Sequence, residues 1–154
     1  MIGIRVMGGT SEIVRIYVDG GARGNPGPAA AGILIESTQD GSILYEAGLF
    51  LGKATNNVAE YRGLIAGLRQ AHKIGADRVE IFSDSELLVK QFNGEYRVRN
   101  PVLQNLYNEA KEWERKFRKC TVNHIRREQN APADRLVNRA IDARADILLP
   151  RSRS

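Results

Sequence analysis

Apolar and β-branched runs fill the first third of the chain and predict three strands. These runs cover residues 13–18, 29–36 and 43–51, and side chains such as Val, Ile and Tyr favour strands because they fit a pleated surface. A loop rich in glycine and proline separates the first two runs, and Asp40-Gly41 marks a tight turn before the third. This pattern predicts an antiparallel meander.

The spacing of apolar residues along the chain then changes from the period of a strand to the period of a helix. Apolar residues recur every three or four positions from Val58 to Ala71. Asn56 or Asn57 is expected to cap this helix, and Gly75 is expected to end it. The change of period divides the chain into an all-strand part and a mixed part.

Strand and helix signals alternate through the rest of the sequence. A strand, a short helix, a long helix, a strand and a final helix are predicted at 78–83, 84–92, 101–117, 121–126 and 130–141. The long helix is expected to pack through one face, formed by Val102, Leu106, Ala110, Trp113 and Phe117. The chain is therefore predicted to be an α/β protein with a five-stranded mixed sheet, in which three antiparallel strands are followed by parallel ones and helices flank the sheet.

We predict one domain over residues 13–146, with an N-terminal extension at 1–12 and a C-terminal tail at 147–154. Residues 1–12 lack the apolar core of a signal peptide, and no apolar run has the length of a membrane span. The single cysteine, Cys120, cannot form a disulfide within the chain. We therefore expect a cytoplasmic monomer without a membrane partner.

Charge is distributed unevenly along the chain. Residues 96–154 hold 14 Lys and Arg against 7 Asp and Glu, a net charge of +7, whereas residues 1–95 hold 9 against 11, a net charge of −2. A basic surface favours a polyanionic partner such as nucleic acid. A solvated basic face without a ligand is an equally good interpretation of the charge alone.

Four carboxylates lie in separate local contexts at strand ends and helix starts. They are Asp19, Glu60, Asp84 and Asp134. Hard divalent cations prefer oxygen ligands, and acids drawn from distant parts of a chain are what a two-metal phosphodiester-cleaving site requires.

Each of these acids also has a structural interpretation. Glu60, Asp84 and Asp134 are expected in first helical turns, where the helix dipole favours an acid whatever the function. Asp19 follows a strand that is expected to be buried, so its charge needs a partner. The metal-site hypothesis therefore depends on all four acids together.

Four motifs follow one another along the chain: DGGARGNPGP at 19–28, TNNVAEY at 55–61, SDS at 83–85, and Asn130 followed by Ala133-Asp134. In this order they strongly resemble the type 1 ribonuclease H family. Each motif is weak alone, whereas the ordered set is highly specific and the resemblance covers residues 13–145. It implies an RNase H-like fold and hydrolysis of the RNA strand of RNA/DNA hybrids, which leaves 5′-phosphate and 3′-hydroxyl ends.

The resemblance also implies two Mg²⁺ ions, with Mn²⁺ as a substitute, held by the four acids. Asp19 would bridge both ions. Glu60 and Asp84 would serve the ion that positions the attacking water, and Asp134 would serve the ion near the leaving 3′ oxygen.

Substrate contacts are implied by the same motifs. Groups that bind the ribose 2′-hydroxyl distinguish RNA from DNA, and Gly20 and Gly21 would let the RNA strand approach the main chain. Asn25 and Thr55 would form a pocket for a DNA phosphate. The implied substrate-binding set is Gly20, Gly21, Asn25, Thr55, Asn56, Asn57 and Ser85. Turn and cap chemistry also favours asparagine at such positions, and both roles can coexist.

The sequence departs from the best-known bacterial members in the segment 92–101. Those members carry a basic protrusion between two helices, whereas this segment runs straight into the next predicted helix, which predicts a short-loop branch of the family. Basic residues near it would either replace the protrusion in part or form a solvated face; they are Arg97, Arg99, Lys111, Arg115 and Lys116.

A second departure concerns the group that assists the carboxylates. Many members carry a mobile histidine on the loop before the last acid, and His124 stands at a compatible distance, yet it falls in a predicted strand. We therefore favour Arg127 for a site role. Because an arginine stays protonated, it would steady phosphate charge and not act as a base.

Two further functions remain open from the sequence. One is an inactive module that binds hybrids, and the other is a metal-dependent DNA nuclease of the same fold. The intact set of acids argues against the first, and the Asn56-Asn57 pair with the glycine-rich turn after Asp19 favours RNA over the second.

Overall fold

The computed structural model describes residues 12–151 as one mixed β-sheet with helices on both faces. Strands β1 to β6 span Ile13–Ala22, Gly27–Ser37, Ile43–Ala54, Arg78–Ser83, Lys119–His124 and Ile147–Leu148. Helices α1 to α4 span Asn56–Ile74, Glu86–Phe92, Pro101–Glu114 and Ala131–Ala143, and a 3₁₀ turn at Arg127–Asn130 precedes α4. None of these helices is long and apolar enough to cross a bilayer.

The order of strands across the sheet is β5-β4-β1-β2-β3-β6. Strands β1, β2 and β3 form the predicted antiparallel meander. Strand β4 then pairs parallel with β1, and β5 pairs parallel with β4. The mixed sheet predicted from the change of period is therefore confirmed, with β1 at its centre.

A short sixth strand extends the predicted five-stranded sheet. Ile147–Leu148 pairs antiparallel with Ala47 and Gly48 of β3. A two-residue strand is too short to show a period in the sequence, which is why the tail gave no strand signal.

Main-chain hydrogen bonds join Glu12 to the domain as well. Its carbonyl accepts from the N–H groups of Asp77 and Arg78 at 3.0 and 3.2 Å. Contacts of the domain thus reach one residue before and at least two residues after the predicted range 13–146. Residues 1–11 of the predicted extension and 152–154 of the predicted tail lie outside the described residues.

Alternation along β1 separates the two faces of the sheet. Val14, Ile16 and Val18 are buried in the main core under α1, whereas a Cβ on Gly21 would approach Val137 of α4. Because successive side chains of a strand point to opposite faces, Asp19 lies on the α4 face. The charged end of β1 therefore projects away from the main core.

Two glycines let the helices lie close to the sheet. A Cβ on Gly20 would overlap the main chain of Ala59 in α1, and a Cβ on Gly32 would overlap the carbonyl oxygen of Ala133 in α4. Since Gly32 pairs with Asp19 across the sheet, this close approach brings the start of α4 next to Asp19.

The helix starts differ from the predictions in two places. Thr55, and neither Asn56 nor Asn57, caps α1, with its Oγ1 accepting from the Val58 N–H at 3.2 Å. Thr and Asn are both good caps, so the sequence alone did not decide between them. Asn56 instead accepts a hydrogen bond from Ala22 N at 2.8 Å.

These starts change the position of two acids. Helix α1 has no acid in its first turn, so the expectation that Glu60 lies there is wrong. Ser85 caps α2, so Asp84 precedes that helix and does not lie in its first turn. The helix-dipole explanation for these two acids is thereby weakened, whereas Asp134 does lie in the first turn of α4.

Helix α3 packs through the predicted face except at its first position. Leu103, Leu106 and Ala110 are its buried residues, whereas Val102 is 57% exposed. Positions 102 and 103 both fit helical spacing to Leu106, so the period did not distinguish between them.

Candidate active site

Parallel pairing places two of the four acids at the same edge of the sheet. Val18 of β1 pairs with Ser83 of β4, and Asp19 and Asp84 are the next residues of the two segments. Because parallel strands run in the same direction, residues that follow a paired position emerge side by side. The first and third acids therefore meet through the topology of the sheet.

Helix packing brings the other two acids to this edge. Gly20 lies against the main chain of Ala59 and Glu60, which fixes the position of Glu60 on α1. The approach of α4 to Gly32 fixes Asp134 in the same way. All four carboxylates line one cavity of about 310 Å³; they are Asp19, Glu60, Asp84 and Asp134.

The carboxylates perturb one another because they are buried together. Burial raises the pKa of Asp19 to about 8, and the negative charges of Asp84 and Asp134 add to this rise, although a hydrogen bond from the Gly20 main chain opposes it. Burial also raises the pKa of Glu60 to about 7, with a further contribution from the charge of Asp84 and an opposing hydrogen bond from Ser85. Both acids thus hold protons near neutral pH in the metal-free protein.

Polar groups behind the cavity fix two of the acids. The Nδ2 group of Asn130 donates to Asp84 Oδ2 at 3.0 Å and to the Val18 carbonyl at 2.8 Å. Ser85 accepts from the Leu88 N–H at 3.2 Å, and its hydroxyl hydrogen-bonds the Glu60 carboxylate. Asp84 and Glu60 are therefore tied to the start of α4 and the start of α2.

The donor set of the cavity fits a hard divalent cation. Its acidic side chains offer carboxylate oxygens, which hard divalent cations prefer. Within residues 12–151, no three His, Cys, Asp or Glu side chains are grouped as the ligands of one ion. The four acids thus surround an open cavity and do not form a closed coordination shell.

The structure separates the two residues proposed to assist the acids. Arg127 is exposed on the 3₁₀ turn and lines the cavity with the carboxylates. His124 ends β5 opposite Ser83 and is exposed. It is not among the described residues that line the cavity. The geometry therefore favours Arg127.

The predicted substrate residues divide between two cavities. Gly20, Gly21 and Asn56 line the cavity with the acids. Asn25, Thr55 and Asn57 line a second cavity, also of about 310 Å³, together with residues at the start of α3. Ser85 lines neither of the two and instead contacts Glu60. Thr55, Asn56 and Asn57 are consecutive, so the start of α1 lies between the cavities.

Several residues of the acid cavity were not predicted. Arg23 forms an ion pair with Asp142 at 2.6 Å and donates to Asn138 Oδ1 at 3.1 Å, and both Arg23 and Asn138 line the cavity. Asn138 stands one helical turn after Asp134, so its spacing on α4 was a usable signal. Arg23 lies within the glycine-rich motif at 19–28, in which the resemblance implied roles only for other residues.

The segment between α2 and α3 contains no helix, in agreement with the absence of a basic protrusion. Lys111 pairs with Glu114 at 3.3 Å and covers the Phe92 ring at 3.9 Å. Arg97, Arg99, Arg115 and Lys116 are exposed. Lys111 is therefore not a free surface charge.

Comparison with known proteins places this chain in a family. The model of the family described as reverse transcriptase-like matches residues 17–140. The bifunctional protein Rv2228c of Mycobacterium tuberculosis is 46% identical over 132 residues, which are 86% of this chain and 36% of that protein. Ribonuclease HI of Halobacterium salinarum is 43% identical over 129 residues, which are 84% of this chain and 64% of that protein.

Solved structures agree with these relatives. The N-terminal RNase H domain of Rv2228c has a TM-score of 0.84 at 45% identity and covers 86% of this chain and 96% of its own. LC11-RNase H1 in complex with an RNA/DNA hybrid has a TM-score of 0.80 at 41% identity and covers 85% of this chain and 98% of its own. The fold is thus RNase H-like, and the chain belongs to the reverse transcriptase-like family as a member of the type 1 ribonuclease H group.

Proposed function

We propose that the chain is a metal-dependent endoribonuclease that hydrolyses the RNA strand of RNA/DNA hybrids, leaving 5′-phosphate and 3′-hydroxyl ends. One observation carries the proposal, namely that four carboxylates from four segments face one cavity. The hybrid complex of a relative supports the choice of substrate. Because the chain spans about a third of the length of the bifunctional relative, the proposal concerns the activity of this domain.

Asp19, Glu60, Asp84 and Asp134 are the residues that would hold the ions, which we propose to be two Mg²⁺ with Mn²⁺ as a substitute. Bound there, the ions would supply Lewis acidity for the attack of water on a phosphodiester. Asp19 is affected by the charges of both Asp84 and Asp134. This central position supports Asp19 as a residue that would hold the ions together with Asp84 and Asp134.

Proton release accompanies the loading of such a site. A carboxylate must be ionised to bind a cation, and the pKa values of Asp19 and Glu60 are raised to about 8 and about 7. Cations therefore compete with protons for these two groups. Activity at limiting Mg²⁺ is expected to rise with pH through the neutral range.

Arg127 supplies the positive charge of the proposed mechanism. A guanidinium group can donate two parallel hydrogen bonds to a phosphate. The place of Arg127 on the cavity wall supports a contact with the scissile or an adjacent phosphate. The guanidinium would then offset the negative charge that develops on the phosphate oxygens.

Both cavities would contribute to hybrid binding. We propose that the RNA strand contacts Gly20, Gly21 and Asn56 beside the acids, and that a DNA phosphate binds near Asn25 and Thr55. A hybrid places its two strands on either side of a groove, and the start of α1 lies between the two cavities. This arrangement supports binding across the start of α1.

Cellular context remains a prediction from composition. We propose a monomer in the cytoplasm; the single Cys120, which cannot form a disulfide within the chain, suits a reducing compartment.

Four labelled substrates test the proposal. RNA/DNA hybrid, duplex DNA, duplex RNA and single strands are incubated with the protein, with Mg²⁺, with Mn²⁺ and with a chelator. Cutting of the RNA strand of the hybrid with either cation supports the proposal. Cutting of duplex DNA alone would identify a DNA nuclease, and binding of the hybrid without cleavage would identify an inactive binding module.

A further inference from the structure

Asn130 occupies a cap position without acting as a cap. It precedes α4 as its N-cap residue, yet its side chain makes no capping hydrogen bond. An asparagine at this position normally uses its side-chain oxygen to accept from the first helical N–H groups. Here the residue is 0% exposed, and its Oδ1 has no hydrogen-bond partner within residues 12–151.

The orientation of this amide follows from its partners. The Val18 carbonyl and Asp84 Oδ2 are both acceptors, and the Nδ2 group has two hydrogens, one for each. Rotating the amide by half a turn would set its oxygen against two other oxygens. A buried oxygen without a partner destabilises the folded state, so the two donated hydrogen bonds are the contacts that specify asparagine here.

These two hydrogen bonds join the segments that carry three of the acids. Val18 immediately precedes Asp19 on β1, Asp84 follows β4, and Asn130 starts the helix that bears Asp134. Asn130 itself is buried behind the wall of the cavity and is not among the described residues that line it. It therefore has access to the acids and none to the substrate.

We propose that Asn130 is a positioning residue, which holds Asp84 in register with Asp19 and thereby sets the affinity of the acid cavity for divalent cations. This inference rests on the proposed function, because it assumes that Asp84 is a ligand. Partners that orient a ligand from behind commonly change metal affinity by about 10- to 100-fold when they are removed. The alternative is a purely structural tie between β1 and α4 through the Val18 carbonyl.

A double-mutant cycle on metal affinity separates the two roles. Mn²⁺ binding is measured calorimetrically, without nucleic acid, for the wild type, Asn130→Ala, Asp84→Ala and the double variant. We expect Asn130→Ala to weaken Mn²⁺ binding by about 10-fold. The double variant should bind Mn²⁺ no more weakly than Asp84→Ala, because Asn130 acts through Asp84.

Asn123→Ala is the matched control. The Asn123 amide donates to the Ile81 carbonyl at 3.1 Å and to Thr121 Oγ1 at 3.2 Å, so the control loses a similar amide contact that involves no acid. Its Mn²⁺ affinity should equal that of the wild type. An equal loss in the Asn123 and Asn130 variants would show general loosening of the fold and overturn the proposal.

Turnover gives a second readout. Since Asn130 does not touch the hybrid, Asn130→Ala should lower kcat at subsaturating Mg²⁺ with KM for hybrid unchanged, and excess Mg²⁺ should restore much of the loss. A structural role alone would lower the melting temperature and leave this Mg²⁺ dependence as in the wild type. If Asn130→Ala does not fold, Asn130→Ser, which keeps one short donor, replaces it in the cycle.

The outcomes distinguish this inference from the proposed function. Wild-type Mn²⁺ affinity in Asn130→Ala, with weakened affinity in Asp84→Ala, would overturn the positioning role alone. Wild-type affinity in Asp84→Ala would overturn the assignment of Asp84 as a ligand, and the positioning role with it.

Discussion

Asp19→Asn is expected to stabilise the metal-free protein while it abolishes cleavage. The substitution keeps the shape of the side chain and removes the charge that conflicts with Asp84 and Asp134. An acid whose pKa is higher in the folded than in the unfolded chain binds more protons when folded. Its contribution to stability is therefore fully present below about pH 4 and is lost as the pH rises through about 8.

The size of the expected gain in stability follows from the shift in the pKa of Asp19. Each pKa unit corresponds to about 1.4 kcal/mol, so a rise from 3.8 to about 8 sets an upper limit of about 6 kcal/mol at alkaline pH. Neighbouring acids share protons, and the side chain can turn towards water, so we expect the asparagine variant to gain about 2–4 kcal/mol at pH 8. For a domain of this size that is about 5–10 °C in melting temperature.

Thermal unfolding from pH 5 to pH 8 in a chelator measures this gain. The difference between Asp19→Asn and wild type should be small at pH 5 and should grow with pH. Adding Mg²⁺ should narrow this difference, because ions that bind only the folded state stabilise it by about 2.7 kcal/mol at 100 times the dissociation constant, and the variant has lost a ligand. Glu112→Gln, which removes an exposed carboxylate of α3, is the control and should show neither effect.

A variant that is less stable than the wild type at pH 8 without metal would refute this reasoning. It would show that Asp19 is held by favourable contacts and not crowded by other acids. Equal stabilisation of both proteins by Mg²⁺ would show that Asp19 is not a ligand.

Two further predictions concern the arginine and the approach of α4. Arg127→Ala should lower kcat by about 10- to 100-fold, since hydrogen bonds to charged groups contribute about 1.5–3 kcal/mol, whereas His124→Ala should change kcat little. Single-turnover cleavage of a hybrid measures both variants. A larger loss in His124→Ala than in Arg127→Ala would contradict the site described above. Gly32→Ala should lower the free energy of unfolding, measured in urea, by about 1–3 kcal/mol and should also lower activity, because the new Cβ would push α4 and Asp134 away from the sheet. Gly41→Ala, at φ +72 with nothing within 4 Å, should cost only about 1–2 kcal/mol and leave activity intact; equal loss of activity in both variants would refute the packing explanation.

Long periodic segments were predictable because burial imposes their period on the sequence. The alternation of Val14, Ile16 and Val18 reflects the single face that β1 buries under α1. The helical spacing over α1 reflects a helix that is buried along most of one side. Such patterns gave the order of the elements and hence the mixed sheet.

Boundaries and short elements depended on local contacts that leave weaker signals. Thr55 rather than a neighbouring asparagine caps α1 because Asn56 is engaged with the main chain of Ala22, a contact between residues far apart in sequence. The strand at Ile147–Leu148 exists because β3 offers an open edge. Neither feature is encoded in a local pattern.

The acids of the site were predictable, whereas the groups behind them were not. The motifs brought out Asp19 and Asp134 because Asp19 directly follows a strong strand signal and Asp134 lies at the start of a strong helix signal. Asn130 was visible as part of a motif, but its role depends on distances to Val18 and Asp84, from which it is separated by 112 and 46 residues. Only the fold brings these three together.

One measurement tests the central claim most directly. It compares the wild type with the four single carboxamide variants in the cleavage of an end-labelled RNA strand within a hybrid at saturating Mg²⁺. These are Asp19→Asn, Glu60→Gln, Asp84→Asn and Asp134→Asn. The account predicts that the wild type cuts the RNA strand and that each variant is slower by roughly 100-fold or more while it remains folded. A wild type that does not cut, or any variant that keeps wild-type turnover, would contradict a site built from four cooperating carboxylates.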